Sequence, residues 1–354
     1  MLLRWRIELR CSFVKICKMT REEKINAFDI NGLSVHDQLF GLPFSEDESE
    51  IIVVPVPWEV TVSFGSGTVD GPQFVFEASK QVDLFLPDHP ELWKRGIAMI
   101  EEPRHLRALS NDLRPLVEAR IHAMESKKEP SKVDLEKIEA GCREMNEWVQ
   151  STVAFYLQKG KRVVLIGGDH STPLGYIKAL SNIYPEMGVL QIDAHADLRV
   201  AYEGLTYSHA SIMHNVLSET GITSLTQVGI RDFCHQEYDV MKNDERVTTF
   251  FDRDMQKVRF EGGNWQNVVE KIVESLPRQI YLSVDVDGLQ PVFCPNTGTP
   301  VHGGLTPEEL LYLVRKIYSK KIEIIGFDIN EVGASEWDAN VASRLLWHIC
   351  AYLK

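Results

Sequence analysis

The run Met187-Gly188-Val189-Leu190-Gln191-Ile192-Asp193, continued by Ala194-His195-Ala196-Asp197-Leu198, decides how this chain is read. A short, almost continuous apolar run reads as a strand covered on both faces. Asp193, His195 and Asp197 follow at alternate positions, and in a strand side chains two apart point to one face. All three can then reach one point beyond the strand's carboxyl end.

Similar runs recur on either side: IIVVPVP (51–57), RVVLIGG (162–168), SLTQVGI (224–230), TTFFD (248–252), QIYLSVDV (279–286) and IEIIGFDI (322–329). Between them, helical patterns begin at Thr172 and span Ile212–Leu217, Trp265–Glu274, LTPEELLYLVRKIYS (305–319) and the closing segment. Apolar strands separated by helices predict an α/β fold, with a parallel sheet covered on both faces. In such sheets ligands gather at the carboxyl ends of the strands. The charged segment 102–150 reads as helices joined by the surface loop SKKEPSKVD (126–134). SFGSGTVDGP (63–72) lacks the spacing and ending of a phosphate loop, so it reads as a backbone loop at the rim of a site. No repeat or linker divides the chain, which reads as one domain.

The 354 residues, 44% hydrophobic and 25% charged, are ordinary for a globular protein with a substantial core. A net charge of −13 argues against a nucleic-acid binder, which needs a basic face, and favours cations such as metals or amines. Six scattered cysteines without a CxxC pair point to reduced thiols in a cytosolic protein. No apolar run approaches the ~20 residues of a membrane helix, so neither membrane nor nucleic acid is expected as a partner. Charged residues interrupt the basic segment MLLRWRIELRCSFVKICK (1–18), which lacks a signal-peptide core. Met19 reads as the start of the ordinary chain, with a docking tail as the alternative for residues 1–18.

Three strand ends carry ligand-type side chains: Asp169 and His170 in GGDHS, Asp193, His195 and Asp197 in DAHAD, and Asp285 and Asp287 in SVDVDGLQP. Singly, His170 could cap the following helix and the Asp-x-Asp pairs could bind loop amides. Together, such groups would repel one another and resist burial unless cations neutralised them. Four carboxylates and two imidazoles without a thiolate favour a hard or borderline divalent ion, manganese first, with nickel or iron as alternatives. Six ligands suit two ions sharing bridging carboxylates, a type of site that acidifies a bridging water.

GGDHS, DAHAD and SVDVDGLQPVFCPNTGTPVHGGL (283–305) resemble the three signature motifs of the ureohydrolase family, in order and over about residues 50–354. The resemblance implies a three-layer α/β/α fold with a mostly parallel sheet of about eight strands and a binuclear manganese centre. By motif, His170, Asp193, Asp197 and Asp285 would hold one ion, and Asp193, His195, Asp285 and Asp287 the other. His209 in LTYSHASIM (205–213) matches the family's proton-shuttling histidine, and Glu331 in GFDINEV (326–332) the acid placed against the substrate guanidinium. The loop DLRVAYEGLTYSHAS (197–211) resembles the agmatinase pattern DLRxxYEGxxYSHA, which makes Arg199, Tyr202 and Glu203 candidates for substrate binding. Val200 and Ala201 replace acids frequent in that pattern, and Gln290 replaces an Asp of the third motif.

The implied reaction is hydrolysis of a small guanidino compound to urea and an amine, with agmatine leading. Guanidine, guanidinobutyrate, arginine and formimidoylglutamate are alternatives, and a non-catalytic metal-binding regulator is the reading from another class. Retention of His209, Glu331 and all six ligands opposes the last. The family further implies a cytoplasmic homo-oligomer, trimer or hexamer, with residues 1–48 as an extension of the domain 49–354.

Overall fold

Eight parallel strands form one sheet in the order β2-β1-β3-β8-β7-β4-β5-β6, in a computed structural model that describes residues 19–354. The readings of residues 1–18 lie outside the described residues. The strands are β1 (Ile51–Pro55), β2 (Ile97–Met99), β3 (Arg162–Ile166), β4 (Gly188–Ile192), β5 (Ser224–Ile230), β6 (Val247–Phe251), β7 (Gln279–Asp285) and β8 (Glu323–Asn330). All but β2 correspond to the apolar runs of the sequence. Three residues are too few to show a pattern, and β2 is held as an edge strand by pairing with β1.

Helices cover both faces. Helices α1 (Arg21–Ala27), α2 (Gly71–Ser79), α3 (Arg104–Glu125), α4 (Lys132–Gln158), α5 (Leu174–Ser181) and α6 (Ile212–Glu219) precede α7 (His235–Asn243), α8 (Asp252–Phe260), α9 (Trp265–Glu274), α10 (Pro307–Ser319) and α11 (Glu336–Cys350). Alternate strand residues enter opposite cores: Ile51 and Val53 pack with α2, α9, α10 and α11, while Ile52 and Val54 pack with α3, α4, α5 and α6. Burial on both faces is why the strands read as unbroken apolar runs. None of the described helices is long and apolar enough to cross a membrane, and Cys142, Cys234, Cys294 and Cys350 are unbonded.

Some local expectations change. The Gly-rich stretch is a loop only as far as Thr68–Asp70, because α2 starts at Gly71 with Pro72 in its first turn, where the missing N–H costs nothing. Helix α5 begins at Leu174 rather than Thr172, after a turn through Pro173. Helices α7 and α8 are short and mostly polar, so the sequence shows no apolar stripe for them.

The sheet order matters most at its centre. The chain passes from β3 to β4 and later inserts β7 and β8 between them. Four neighbouring strands, β3, β8, β7 and β4, therefore deliver residues 167–170, 330–331, 285–287 and 193–197 to one edge of the sheet. Gly288 lets the β7 end approach the β4 end: a Cβ there would lie 2.6 Å from the Asp193 nitrogen and 2.9 Å from its Cα. Both contacts are backbone, so Gly288→Ala must push the two strand ends apart. We expect it to destabilise the fold by about 1–3 kcal/mol, measured by thermal or denaturant unfolding, and to weaken divalent-metal binding as well.

Candidate metal centre

His170 sits just beyond β3, fully buried, with its Nε2 2.9 Å from Ser283 Oγ. The Ser283 hydroxyl donates onward to Asp328 Oδ1 at 3.1 Å, so it accepts from Nε2–H and leaves Nδ1 as the nitrogen that offers a lone pair once the proton favoured by the carboxylates is displaced. Nδ1 lies 3.0 Å from Asp193 Oδ2, 3.2 Å from Asp197 Oδ2 and 3.3 Å from Asp285 Oδ2. None of these contacts is aligned as a hydrogen bond, and Nδ1 is buried without one. A lone pair facing three carboxylate oxygens is the arrangement that a cation satisfies.

The second cluster shares Asp193. His195 Nδ1 lies 2.9 Å from Asp287 Oδ2 and 3.7 Å from Asp193 Oδ1. Loop amides orient these acids: His195 N donates to Asp193 Oδ1, Ala194 N to Asp287 Oδ1, and Asp287 N to Asp285 Oδ1, at 2.6, 3.0 and 2.8 Å. Two groups emerge, His170 with Asp193 and Asp197, and Asp193 with His195 and Asp287, each with ligand atoms within 4.8 Å of one another. The single point suggested by strand alternation thus becomes two, because the strand stops at Ile192 and Asp197 turns back in the left-handed region at φ 54°. Asp169 takes another part. Its Oδ2 accepts from Thr61 N and Oγ1, each at 3.0 Å, and its Oδ1 accepts from Ser171 N at 3.0 Å, so it organises loops.

The electrostatics agree with a cation site. Burial and the Asp193 charge push Asp197 up to about 7, and burial with Asp287 and Asp193 holds Asp285 well above the carboxylate range. Burial opposes a charge on His195, but Asp287 and Asp193 prevail and raise it to about 12; carboxylates likewise raise His170 against its burial. The cluster holds protons that a divalent ion would displace. An all-oxygen and imidazole donor set, with a buried lone pair aimed into it, fits hard or borderline divalent ions.

A cavity of about 140 Å³ opens over the second group, with His195, Asp197, Arg199, Tyr202, His209 and Asp232 in its wall. His209 donates its backbone N–H to Thr61 Oγ1 at 2.9 Å, faces the Tyr202 ring edge-on at 6.1 Å, and has its pKa lowered by burial. Glu331 stands at the end of β8 with φ 61°; its Oε1 accepts from His170 N at 2.9 Å, while its buried Oε2 lacks a partner. Glu203 is placed differently from Tyr202: it does not line the cavity, its carbonyl accepts from Arg120 Nε at 2.7 Å, and its carboxyl feels Arg114 and Arg120. Val200 is solvent-exposed, and Gln290 joins a backbone pairing with Leu305, its N–H donating at 2.8 Å. Arg231, Asp232 and Glu237 escaped the sequence reading. The signal for the first two was available, since RDF follows the apolar run SLTQVGI as ligand residues follow the other strands.

This arrangement belongs to a known pattern: a family model described as "Arginase family" matches residues 49–353. The chain belongs to the arginase family. An N(1)-aminopropylagmatine ureohydrolase of Synechocystis is 31% identical over 80% of this chain and 82% of its own length. An agmatinase of Bacillus subtilis is 32% identical over 56% of this chain and 67% of its own. Among solved structures, the agmatine ureohydrolase of Thermoplasma volcanium superposes with a TM-score of 0.68, covering 94% of this chain and 97% of its own, at 22% identity.

The proton affinities of this arginase-family cluster make a measurable statement. Below about pH 7 Asp197 carries a proton that a cation must displace, and His195 carries one up to about pH 12. Divalent-metal binding should therefore release protons at neutral pH and weaken as pH falls through about 7. Calorimetric titration in buffers of different ionisation enthalpy checks this: apparent enthalpies independent of buffer would mean that the ligands are already deprotonated.

Proposed function

We propose that this chain hydrolyses a guanidino compound with a cationic tail, agmatine or its aminopropyl-extended form, to urea and an amine, using two divalent ions, manganese first. His170, Asp193, Asp197 and Asp285 would hold one ion, and Asp193, His195, Asp285 and Asp287 the other. The observation that carries the reading is Glu331. Its Oε2 is a buried acceptor without a donor, on a carboxyl whose other oxygen binds the His170 amide. Burial and the neighbouring Asp285 and Asp169 raise its proton affinity, so an incoming guanidinium with paired N–H donors gains both charge and hydrogen bonds there.

Bound divalent ions acidify water, which makes a nucleophile available near neutral pH. Glu331 holds the guanidinium plane next to the metal ligands, fixing the carbon that is attacked. His209 lies in the cavity wall, and its burial favours the neutral imidazole, so a protonated ring gives its proton readily to the departing amine nitrogen. The balance is one guanidinium and one water converted to urea and an alkylammonium ion.

Charge at the cavity wall decides the tail. Arg199 would suit a carboxylate tail such as guanidinobutyrate, but its guanidinium stacks 4.7 Å from the Tyr202 ring and its Nε lies 3.7 Å from Glu237 Oε2. Glu237 is itself engaged, accepting from Leu198 N at 3.1 Å and Cys234 N at 2.8 Å. Asp232 is the carboxylate left over: it is exposed and its nearest cationic neighbour, His195 Nε2, is 3.9 Å away. An exposed carboxylate, held only by its 3.9 Å contact with His195, beside a neutralised arginine favours an ammonium tail. The names of the Synechocystis and Bacillus subtilis relatives, an aminopropylagmatine ureohydrolase and an agmatinase, support the same reading.

The test is urea release by metal-loaded protein from agmatine, N(1)-aminopropylagmatine, guanidinobutyrate, arginine and guanidine. The two cationic-tail guanidines should be the best substrates, and no urea from any of the five would leave the regulatory reading or a formamide-releasing substrate such as formimidoylglutamate. Glu331→Gln should keep its metals and lose roughly tenfold to a hundredfold or more in kcat/KM on every guanidine. His209→Ala should keep both metals and lose about two to four orders of magnitude in kcat. Asp232→Asn should lower kcat/KM about two- to fivefold for cationic tails, the value of an exposed ion pair, with guanidine itself as the internal control.

A further inference from the structure

Arg231 is the first residue beyond β5, and its N–H donates to Ala194 O at 2.8 Å, beside His195. Its guanidinium then reaches five carbonyl oxygens. Nη1 donates to Gly229 O at 3.0 Å and Gly288 O at 3.5 Å, and Nη2 to Asp287 O at 2.6 Å, Leu289 O at 3.1 Å and Val301 O at 3.0 Å. Among the described residues no carboxylate forms an ion pair with it, although Asp287, Asp252, Asp193 and Asp285 supply the surrounding negative charge.

Placing a partly buried cation against carbonyls rather than a carboxylate is electrostatically wasteful. The gain is geometric, since one rigid planar group ties together the end of β5, the turn 287–289 and the loop at Val301. The 2.6 Å contact falls on Asp287, whose side chain faces His195 and accepts from Ala194 N. The far end of the same loop is held by Asp252, whose Oδ1 accepts from Gly304 N at 3.2 Å. The ligands that only the other group uses have their own supports: His170 rests on Ser283 and Asp328, and the carbonyl of Asp197 accepts from Met213 and His214 N–H groups, so the Asp287 turn reaches that group only through the shared Asp193 and Asp285.

We infer that Arg231 is a positioning residue for the His195–Asp287 half of the site: by fixing the Asp287 backbone it sets the affinity of the second cation and leaves the first to its own supports. This rests on the two-ion reading above. Charge and geometry act in opposite directions here. A neighbouring positive charge repels a cation, so removing it would tighten binding; losing the backbone clamp would loosen it. The inference requires that geometry prevail, and at one subsite only.

The experiment titrates Mn²⁺ into metal-stripped wild-type protein, Arg231→Met and Arg231→Lys, followed by calorimetry and by the paramagnetic resonance of the bound ions. The Met variant should keep the first ion within about threefold and bind the second about 10- to 100-fold more weakly, the usual effect of losing an outer support of a metal ligand. At two equivalents its spectrum should show isolated ions where the wild type shows a coupled pair. The Lys variant should fall between, because a single ammonium keeps the charge but cannot span five carbonyls; if the Met variant fails to fold, the Lys variant carries the test. Equal weakening of both ions, an unchanged second ion, or tighter binding in the Met variant overturns the inference. A wild-type protein that binds fewer than two ions overturns the two-ion reading along with it.

Discussion

Four buried carboxylates, the buried His170 and the partly exposed His195 lie within a few ångströms of one another, and the rest of the structure is arranged around the cost of keeping them there. Asp193 is fully buried, and Asp197, Asp285 and Asp287 nearly so. Burial, reinforced by their mutual repulsion, drives Asp285 and Asp197 toward protonation, while the neighbouring carboxylates drive the imidazoles to hold protons. Such a cluster is tolerable only when each group is oriented by something uncharged. Loop amides do this for Asp193, Asp285 and Asp287, and the Ser283 hydroxyl does it for His170. A divalent ion would convert the repulsion into ligation, which is how the same groups would serve the proposed hydrolysis.

Close backbone approach is the second consequence. Gly288 lies against the Asp193 backbone, and Gly168 lies against Trp58, where a Cβ would come within 1.8 Å of the Trp58 carbonyl oxygen. The Asp169 N–H donates to that same carbonyl at 2.8 Å, and the Asp169 side chain then gathers Thr61, which in turn receives the His209 N–H. One buried carboxylate outside the ligand set thus carries the position of a strand end to the candidate proton donor. The path runs through hydrogen bonds of 2.8 to 3.0 Å and the close Gly168–Trp58 contact, so a side chain at Gly168 would displace it.

On the solvent side the logic is charge pairing. Arg199 is neutralised by Glu237 and stacked on Tyr202, which leaves Asp232 to set the sign of the potential at the mouth. The overall net charge of −13 works in the same direction, drawing cations toward an acidic protein. In the proposed function, substrate class is a matter of which charges are left over, and that depends on neighbours far apart in the chain.

Much was legible in the sequence because it depends on local periodicity. Seven of the eight strands were visible as apolar runs, since both faces of the sheet are covered, and the six ligand candidates were visible because each follows such a run. His209 and Glu331 were legible through motif resemblance, without which a loop histidine and a strand-end glutamate carry no distinct signal. The tertiary structure decided what spacing cannot express. Inserting β7 and β8 between β3 and β4 made neighbours of residues separated by more than a hundred positions. The left-handed turn at Asp197 accompanies the division of the ligands into two groups that share Asp193. Glu203 lies outside the cavity wall that holds Tyr202, with its carbonyl bound by Arg120, and Arg231 and Asp232 acquired their surroundings only when the loop after β5 met residues 287–301. Periodicity records which face a residue shows to the core; partners across the sheet edge are set by the path of the whole chain, and no local pattern encodes them.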